Sequence, residues 1–142
     1  MGESVIRQAE ADDAAALADL IGQLEYQASA ADVADRLVQI RGEGRDVLVA
    51  ELDGRVVGCL TTSLMRVLHR PAPVGRIAMM VVAEGLRGRG IGARLVRAAE
   101  AALAAHGCYM IEVTSHARRT QAHRFYEKLG YAKTSVRLAR AL

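Results

Sequence analysis

The chain has 142 residues, of which 51% are hydrophobic and 25% charged, with a net charge of +3. This length suits one domain with a real core, and an apolar half without low-complexity tracts excludes an intrinsically disordered chain. The basic residues are 17 Arg against 2 Lys. That bias reads either as base composition or as a site for a small anionic ligand, since a duplex-binding protein carries a denser basic face and a recognisable motif. No nucleic-acid partner is therefore expected.

Residues 4–8 alternate enough for a short first strand. Asp12 and Asp13 stand where they can cap a helix with Leu17, Leu20, Ile21 and Leu24 on its apolar face. Ser29 and Asp32 open a second helix carrying Val33, Leu37 and Ile40, and Gly42 and Gly44 close it. Residues 47–52 read as a strand, Asp53-Gly54 as a two-residue hairpin turn, and 56–64 as the returning strand. Pro71 and Pro73 mark a loop. Residues 76–82 are an apolar strand, expected to be buried on both faces.

A helix follows from Gly90, with Ile91, Leu95, Ala98 and Ala102 at helical spacing, and ends near Gly107. Residues 109–114 form another strand. Residues 120–129 form a helix with Ala122, Phe125, Tyr126 and Leu129 on one stripe. Gly130 caps it, and residues 131–138 return as a last strand. The order β-α-α-β-β-β-α-β-α-β gives an α/β fold with a mixed sheet, antiparallel hairpins first and then a β-α-β crossover.

Cys59 and Cys108 lie in apolar, strand-like segments. Two cysteines make no disulfide framework, so buried free thiols in a reducing cytosol are expected. The N-terminus shows no apolar leader and no segment nears membrane-spanning length. Gly2 offers no myristoylation signal, because Ile6 stands where Ser or Thr is needed. A cytoplasmic protein without a membrane partner is the expectation.

The chemistry concentrates in Arg87-Gly88-Arg89-Gly90-Ile91-Gly92, between the strand Ile77-Ala78-Met79-Met80-Val81-Val82 and the following helix. A helix start carries unpaired N–H donors and partial positive charge, which suits phosphate or pyrophosphate. Glycines let the backbone bend and a ligand approach, and Arg87 and Arg89 add full charges of a shape that fits phosphate. Gly88-x-Gly90-x-x-Ala93 with Glu112 formally satisfies a dinucleotide fingerprint. That fingerprint belongs to the first strand of a doubly wound sheet, whereas three strands precede it here, and Glu112 falls at the start of its strand.

Arg87, Gly90 and Gly92 match Arg-x-x-Gly-x-Gly, and with this motif the chain resembles the GNAT superfamily, the Gcn5-related N-acetyltransferases. Ala122-His123-Arg124-Phe125-Tyr126-Glu127-Lys128-Leu129-Gly130-Tyr131 is similar to the family's Phe/Leu-Tyr-Glu-x-x-Gly-Phe/Tyr segment, and the likeness spans residues 46–138. It implies one N-acetyltransferase domain over residues 1–142, with acetyl-CoA as co-substrate, no metal, and an amine acceptor attacked directly in a ternary complex. The coenzyme's pyrophosphate would rest on the N–H groups of residues 88–92, with Arg87 beside them. In the family the strand that holds Met80, Val81 and Val82 bulges and splays from the next, so its freed backbone would meet the pantetheine arm, and an N–H near Val82 or Met80 would polarise the thioester carbonyl. Tyr126 matches the family's general acid for the departing thiolate, with a core tyrosine as the plain alternative.

Many members carry an acidic pair in this strand where Ala78-Met79 stands here. Glu112 aligns with a base used by some ribosomal-protein acetyltransferases. A salt-bridged Glu112, Glu84 as base, and a water path are the alternatives. Arg119 occupies, by spacing, the position of an asparagine that contacts the coenzyme, and reads equally as a solvated helix-start arginine. Gly107-Cys108-Tyr109 resembles glucosamine-6-phosphate acetyltransferases. The same likeness admits a domain that binds the coenzyme without catalysing, and a homodimer. His116 and His123 lack further ligands at metal spacing, and Ser115 lacks a nucleophile elbow.

Overall fold

A computed structural model of the chain describes residues 2–115 and 119–142, so His116 lies outside the described residues. The contacts divide the chain into two compact units, Met1–Glu112 and Val113–Leu142.

The first unit begins with β1 (Val5–Gln8), a 3-10 turn (Ala11–Asp13), α1 (Ala14–Gln23) and α2 (Ala30–Gly42). Asp13 does not cap α1 in the expected way. Its carboxylate accepts from the Glu10 N–H at 2.7 Å and pairs with both terminal nitrogens of Arg7 at 2.8 and 3.0 Å. The Arg7 guanidinium holds this carboxyl below its ordinary range. The Ser29 start of α2 is a capping box: Ser29 Oγ accepts from the Asp32 N–H, and Asp32 Oδ2 accepts from the Ser29 N–H.

β2 (Val47–Leu52) turns through Asp53 and Gly54, at φ +51° and +79°, into β3 (Arg55–Met65). Two successive left-handed residues make the type I′ geometry that matches strand twist, so the Asp-Gly pair is obeyed. β4 (Val74–Val82), α3 (Ile91–Ala105) and β5 (Met110–Val113) complete the sheet, with strand order β1-β2-β3-β4-β5. The pairs β1–β2, β2–β3 and β3–β4 are antiparallel.

α1 and α2 cover one face, where Leu17, Leu20, Val33 and Leu37 pack with Val47, Val49, Cys59 and Val81. α3 covers the other. Its buried stripe is Ile91, Leu95, Val96, Ala99 and Leu103, so the contact line runs one residue beyond the expected Ala98 and Ala102. Two glycines let α3 lie close. A Cβ on Gly58 would stand 3.1 Å from Leu95 Cδ1 and 3.4 Å from Ile91 Cγ2, and one on Gly75 would stand 2.7 Å from Leu103 Cδ1. Leu103 is buried, so either its side chain shifts or α3 moves outward. Gly75→Val is therefore expected to destabilise the fold by about 1–3 kcal/mol, the range for overpacking. Urea unfolding of the variant against the wild type checks this; an unchanged midpoint would show that α3 can ride outward.

Three expectations need correction. Residues 76–82 are not buried on both faces: Ile77 and Val81 are buried, Ala78 is exposed, and Arg76, Met79, Met80 and Val82 are half-buried. The cause is a β-bulge. Thr61 faces Met79 while Thr62 faces Ile77, so Ala78 is an extra residue that turns the strand's second half. Cys108 lies before β5 and is only half-buried, whereas Cys59 is fully buried and its thiol is pushed up to about 12 by that burial.

The third concerns the second unit, where α4 (Thr120–Lys128) forms with Tyr126 buried and Ala122, Phe125 and Leu129 beside it. Residues 131–138 form no strand. A strand needs a paired ladder or a buried face, and from Ala132 onward this segment is exposed, including Val136 and Leu138. No helix among the described residues is long and apolar enough to cross a membrane.

Candidate active site

β4 hands the chain to a tight turn. The Ala83 N–H donates to the Val57 carbonyl at 2.8 Å, and the Leu86 N–H donates to the Ala83 carbonyl at 3.0 Å, with Gly85 at φ +85°. The Glu84 N–H donates to Gln23 Oε1 at 2.8 Å, fastening the turn to the last residue of α1. Gly88 and Gly90 then take φ +80° and +81°, a region that L side chains enter only at a cost. Above both lies open space, with nothing within 4 Å of where a Cβ would be.

Gly90 is the N-cap of α3, and the first helical bond runs from the Arg94 N–H to the Gly90 carbonyl at 3.1 Å. The N–H groups of Ile91, Gly92 and Ala93 thus have no carbonyl within the helix to serve them. Ile91 anchors this end against the sheet at Gly58. The Arg94 guanidinium reaches back to the carbonyl and hydroxyl oxygens of Ser4. Arg87 and Arg89 are exposed beside the turn, and Arg87 Nε donates to the Val82 carbonyl at 3.3 Å. The open, left-handed glycine turn, the helix start and the two arginines fit the diphosphate of a coenzyme. Residues 80–82 lead directly into the turn, so these two groups of expected site residues come together.

Glu112, on β5, is held by Arg76 on β4: Nε and Nη2 of Arg76 both donate to Glu112 Oε1, at 2.9 and 2.5 Å. Of the readings open for Glu112, the ion-paired one is formed. Both side chains are 36% exposed, so the pair remains within reach of solvent. Glu84 is exposed.

Arg119 and Tyr126 belong to the second unit. Arg119 is exposed at the N-cap of α4. Tyr126 is buried, and burial pushes its phenol up to about 12. Its ring meets those of Phe125 and Tyr131 edge-to-face, with centroids 5.0 and 5.6 Å away.

Gln23, Ser4 and Arg76 went unmarked in the sequence. Each acts through a partner distant in the chain, and only the adjacency of β4 and β5 brings Arg76 to Glu112. A cavity of about 230 Å³ lined by Asp46, Thr62 and His106 lies at the far end of α3 from the glycine turn. Among the described residues no group of three or more His, Cys, Asp or Glu side chains gathers as a metal site would require.

Residues 14–131 match the model of the acetyltransferase (GNAT) family. An aminoalkylphosphonate N-acetyltransferase from Salmonella typhimurium (strain LT2) is 32% identical over 127 residues, covering 87% of this chain and 78% of the relative. The solved structure of glucosamine-6-phosphate N-acetyltransferase from Arabidopsis thaliana superposes with a TM-score of 0.88 at 23% identity, covering 99% of both chains. An acetyltransferase structure from Trypanosoma brucei gives 0.85 at 26% identity, covering 99% of this chain and 100% of that one. The second half of β4, the glycine turn and the start of α3 all lie within the matched span, and the chain belongs to the acetyltransferase (GNAT) family.

Proposed function

We propose that the protein moves an acetyl group from acetyl-CoA to the primary amine of a small molecule by direct attack in a ternary complex. The observation that carries this reading is the turn at residues 87–92, where two left-handed glycines open the start of α3 between two arginines. The N–H groups of Ile91, Gly92 and Ala93, with Arg87 and Arg89, receive the diphosphate of the coenzyme. The backbone of Met80, Val81 and Val82 takes the amide groups of the pantetheine arm in the manner of an added strand. An N–H there polarises the thioester carbonyl as charge builds on its oxygen. Arg119 serves as a further phosphate contact.

The acceptor arrives as an ammonium, which cannot attack. Glu112 is the carboxylate on β5 beside β4, and it takes the first proton through the oxygen that Arg76 leaves open. The nitrogen then bonds to the acetyl carbon while the carbon–sulfur bond breaks. The Tyr126 hydroxyl gives its proton to the departing sulfur and recovers one from the acylated nitrogen. The net change is amide, free thiol and one proton released from Glu112 to water. A phenol pushed up to about 12 is fully protonated at neutral pH, as this role requires.

The relative acting on aminoalkylphosphonates supports a small acceptor that carries an anionic group. The test is a melting series with acetyl-CoA, followed by an amine panel with free thiol as readout. Saturation at a hundred times Kd is expected to raise stability by about 2.7 kcal/mol. No shift with any acyl-CoA would remove the reading. A shift without thiol release from any amine would leave a coenzyme-binding domain that does not catalyse.

A further inference from the structure

We propose that the Arg76–Glu112 pair is the receptor for a zwitterionic acceptor, with Arg76 Nη1 binding its anionic end and Glu112 Oε2 its ammonium. The inference rests on the acetyl-transfer reading and narrows its acceptor to short amines bearing a phosphonate, phosphate or carboxylate group.

The pair is asymmetric. Both Arg76 donors in use converge on a single oxygen, Glu112 Oε1. Among the described residues, Nη1 of Arg76 and Oε2 of Glu112 bond to nothing. A side-by-side pair, with two parallel bonds to two oxygens, would have occupied Oε2 as well. Here each partner keeps one free end, and the two are of opposite charge. An acceptor with an ammonium and an anion on a short spacer matches both ends at once. A simple alkylamine matches only one.

The position fits as well. Gly75 faces Leu103 of α3, so Arg76, the next residue along β4, projects from the opposite face. Ser63 of β3 stands across from Arg76 and Thr61 from Met79. All four are half-buried, so this part of the sheet carries polar side chains under incomplete cover. Arg76 lies two residues before the bulge at Ala78, roughly 7 Å along the strand. From there β4 runs on into Met80, Val81 and Val82, the backbone proposed for the thioester. Arg70 of the loop before β4 donates to Tyr109 Oη at 2.8 Å and lies close enough to Glu112 to feel its charge. It adds a second cation near the pair.

The experiment compares aminoethylphosphonate with propylamine on the wild type, Arg76→Gln and Arg76→Lys, with acetyl-CoA saturating. Arg76→Gln is expected to lower kcat/KM for aminoethylphosphonate at least tenfold more than it lowers that for propylamine. Arg76→Lys should recover part of the loss, because the charge returns without the planar fork. Calorimetric titration of aminoethylphosphonate into the CoA-bound protein supplies a readout apart from turnover. Binding to the wild type should exceed that to Arg76→Gln by the same factor. Equal losses on both amines would reduce Arg76 to a support for Glu112, and an unchanged aminoethylphosphonate titration would overturn the proposal. If the wild type acetylates neither amine, the acetyl-transfer reading fails separately, and the titration still decides what Arg76 binds.

Discussion

Replacing Tyr126 with phenylalanine is expected to lower kcat by about a hundredfold or more, while acetyl-CoA affinity stays within twofold. Proton donation by a placed side chain is worth about 10²–10⁴ in rate, and this substitution removes the transferable proton while keeping the ring. Tyr126 packs edge-to-face with Phe125 and Tyr131, and phenylalanine keeps both contacts. The competing role is a core tyrosine, for which burial speaks, since Tyr126 is the most buried residue of α4. The two roles part on the readout. A purely structural tyrosine shifts the melting temperature and leaves kcat alone; a general acid does the reverse. Steady-state kinetics with coenzyme titration by calorimetry separates them, and an unchanged kcat removes Tyr126 from the chemistry.

The parts of this protein legible in its sequence are those with local causes. Asp53-Gly54 fixes its own turn because two adjacent residues tolerate positive φ. Ser29 and Asp32 fix the start of α2 through two reciprocal bonds three residues apart. The glycine turn was readable for the same reason: the residues that open it and the helix that follows are contiguous. What failed depends on partners elsewhere. The exposure of Ala78 arises from register against β3: the family likeness implied a bulge in this strand, but nothing in Ala78-Met79 itself announces where it falls. Residues 131–138 alternate well enough for a strand, yet alternation states only which face could be buried and supplies no neighbour to bury it. The attachment of Glu112 to Arg76 spans 36 positions in the chain, so it left open how that carboxylate is held.

Gly90→Val is expected to weaken acetyl-CoA binding at least tenfold, which corresponds to about 1.4 kcal/mol. Two causes act in the same direction. Gly90 sits at φ +81°, where a side chain costs about 1–2 kcal/mol and a β-branched one is a marked outlier. Relief of that strain rotates the N–H groups at the start of α3 away from their common direction. The valine branches also enter the open space beside the turn, which the diphosphate needs. Strain alone would lower stability without touching the coenzyme, so the control is a second glycine with the same strain elsewhere. Gly107 lies past the other end of α3 at φ +90°, also with nothing within 4 Å of its Cβ position. Gly107→Val should lower the melting temperature by a comparable amount and leave the acetyl-CoA Kd unchanged. If both variants lose affinity equally, the turn has no privileged contact with the coenzyme. If Gly90→Val keeps wild-type affinity, the start of α3 is not where the diphosphate rests.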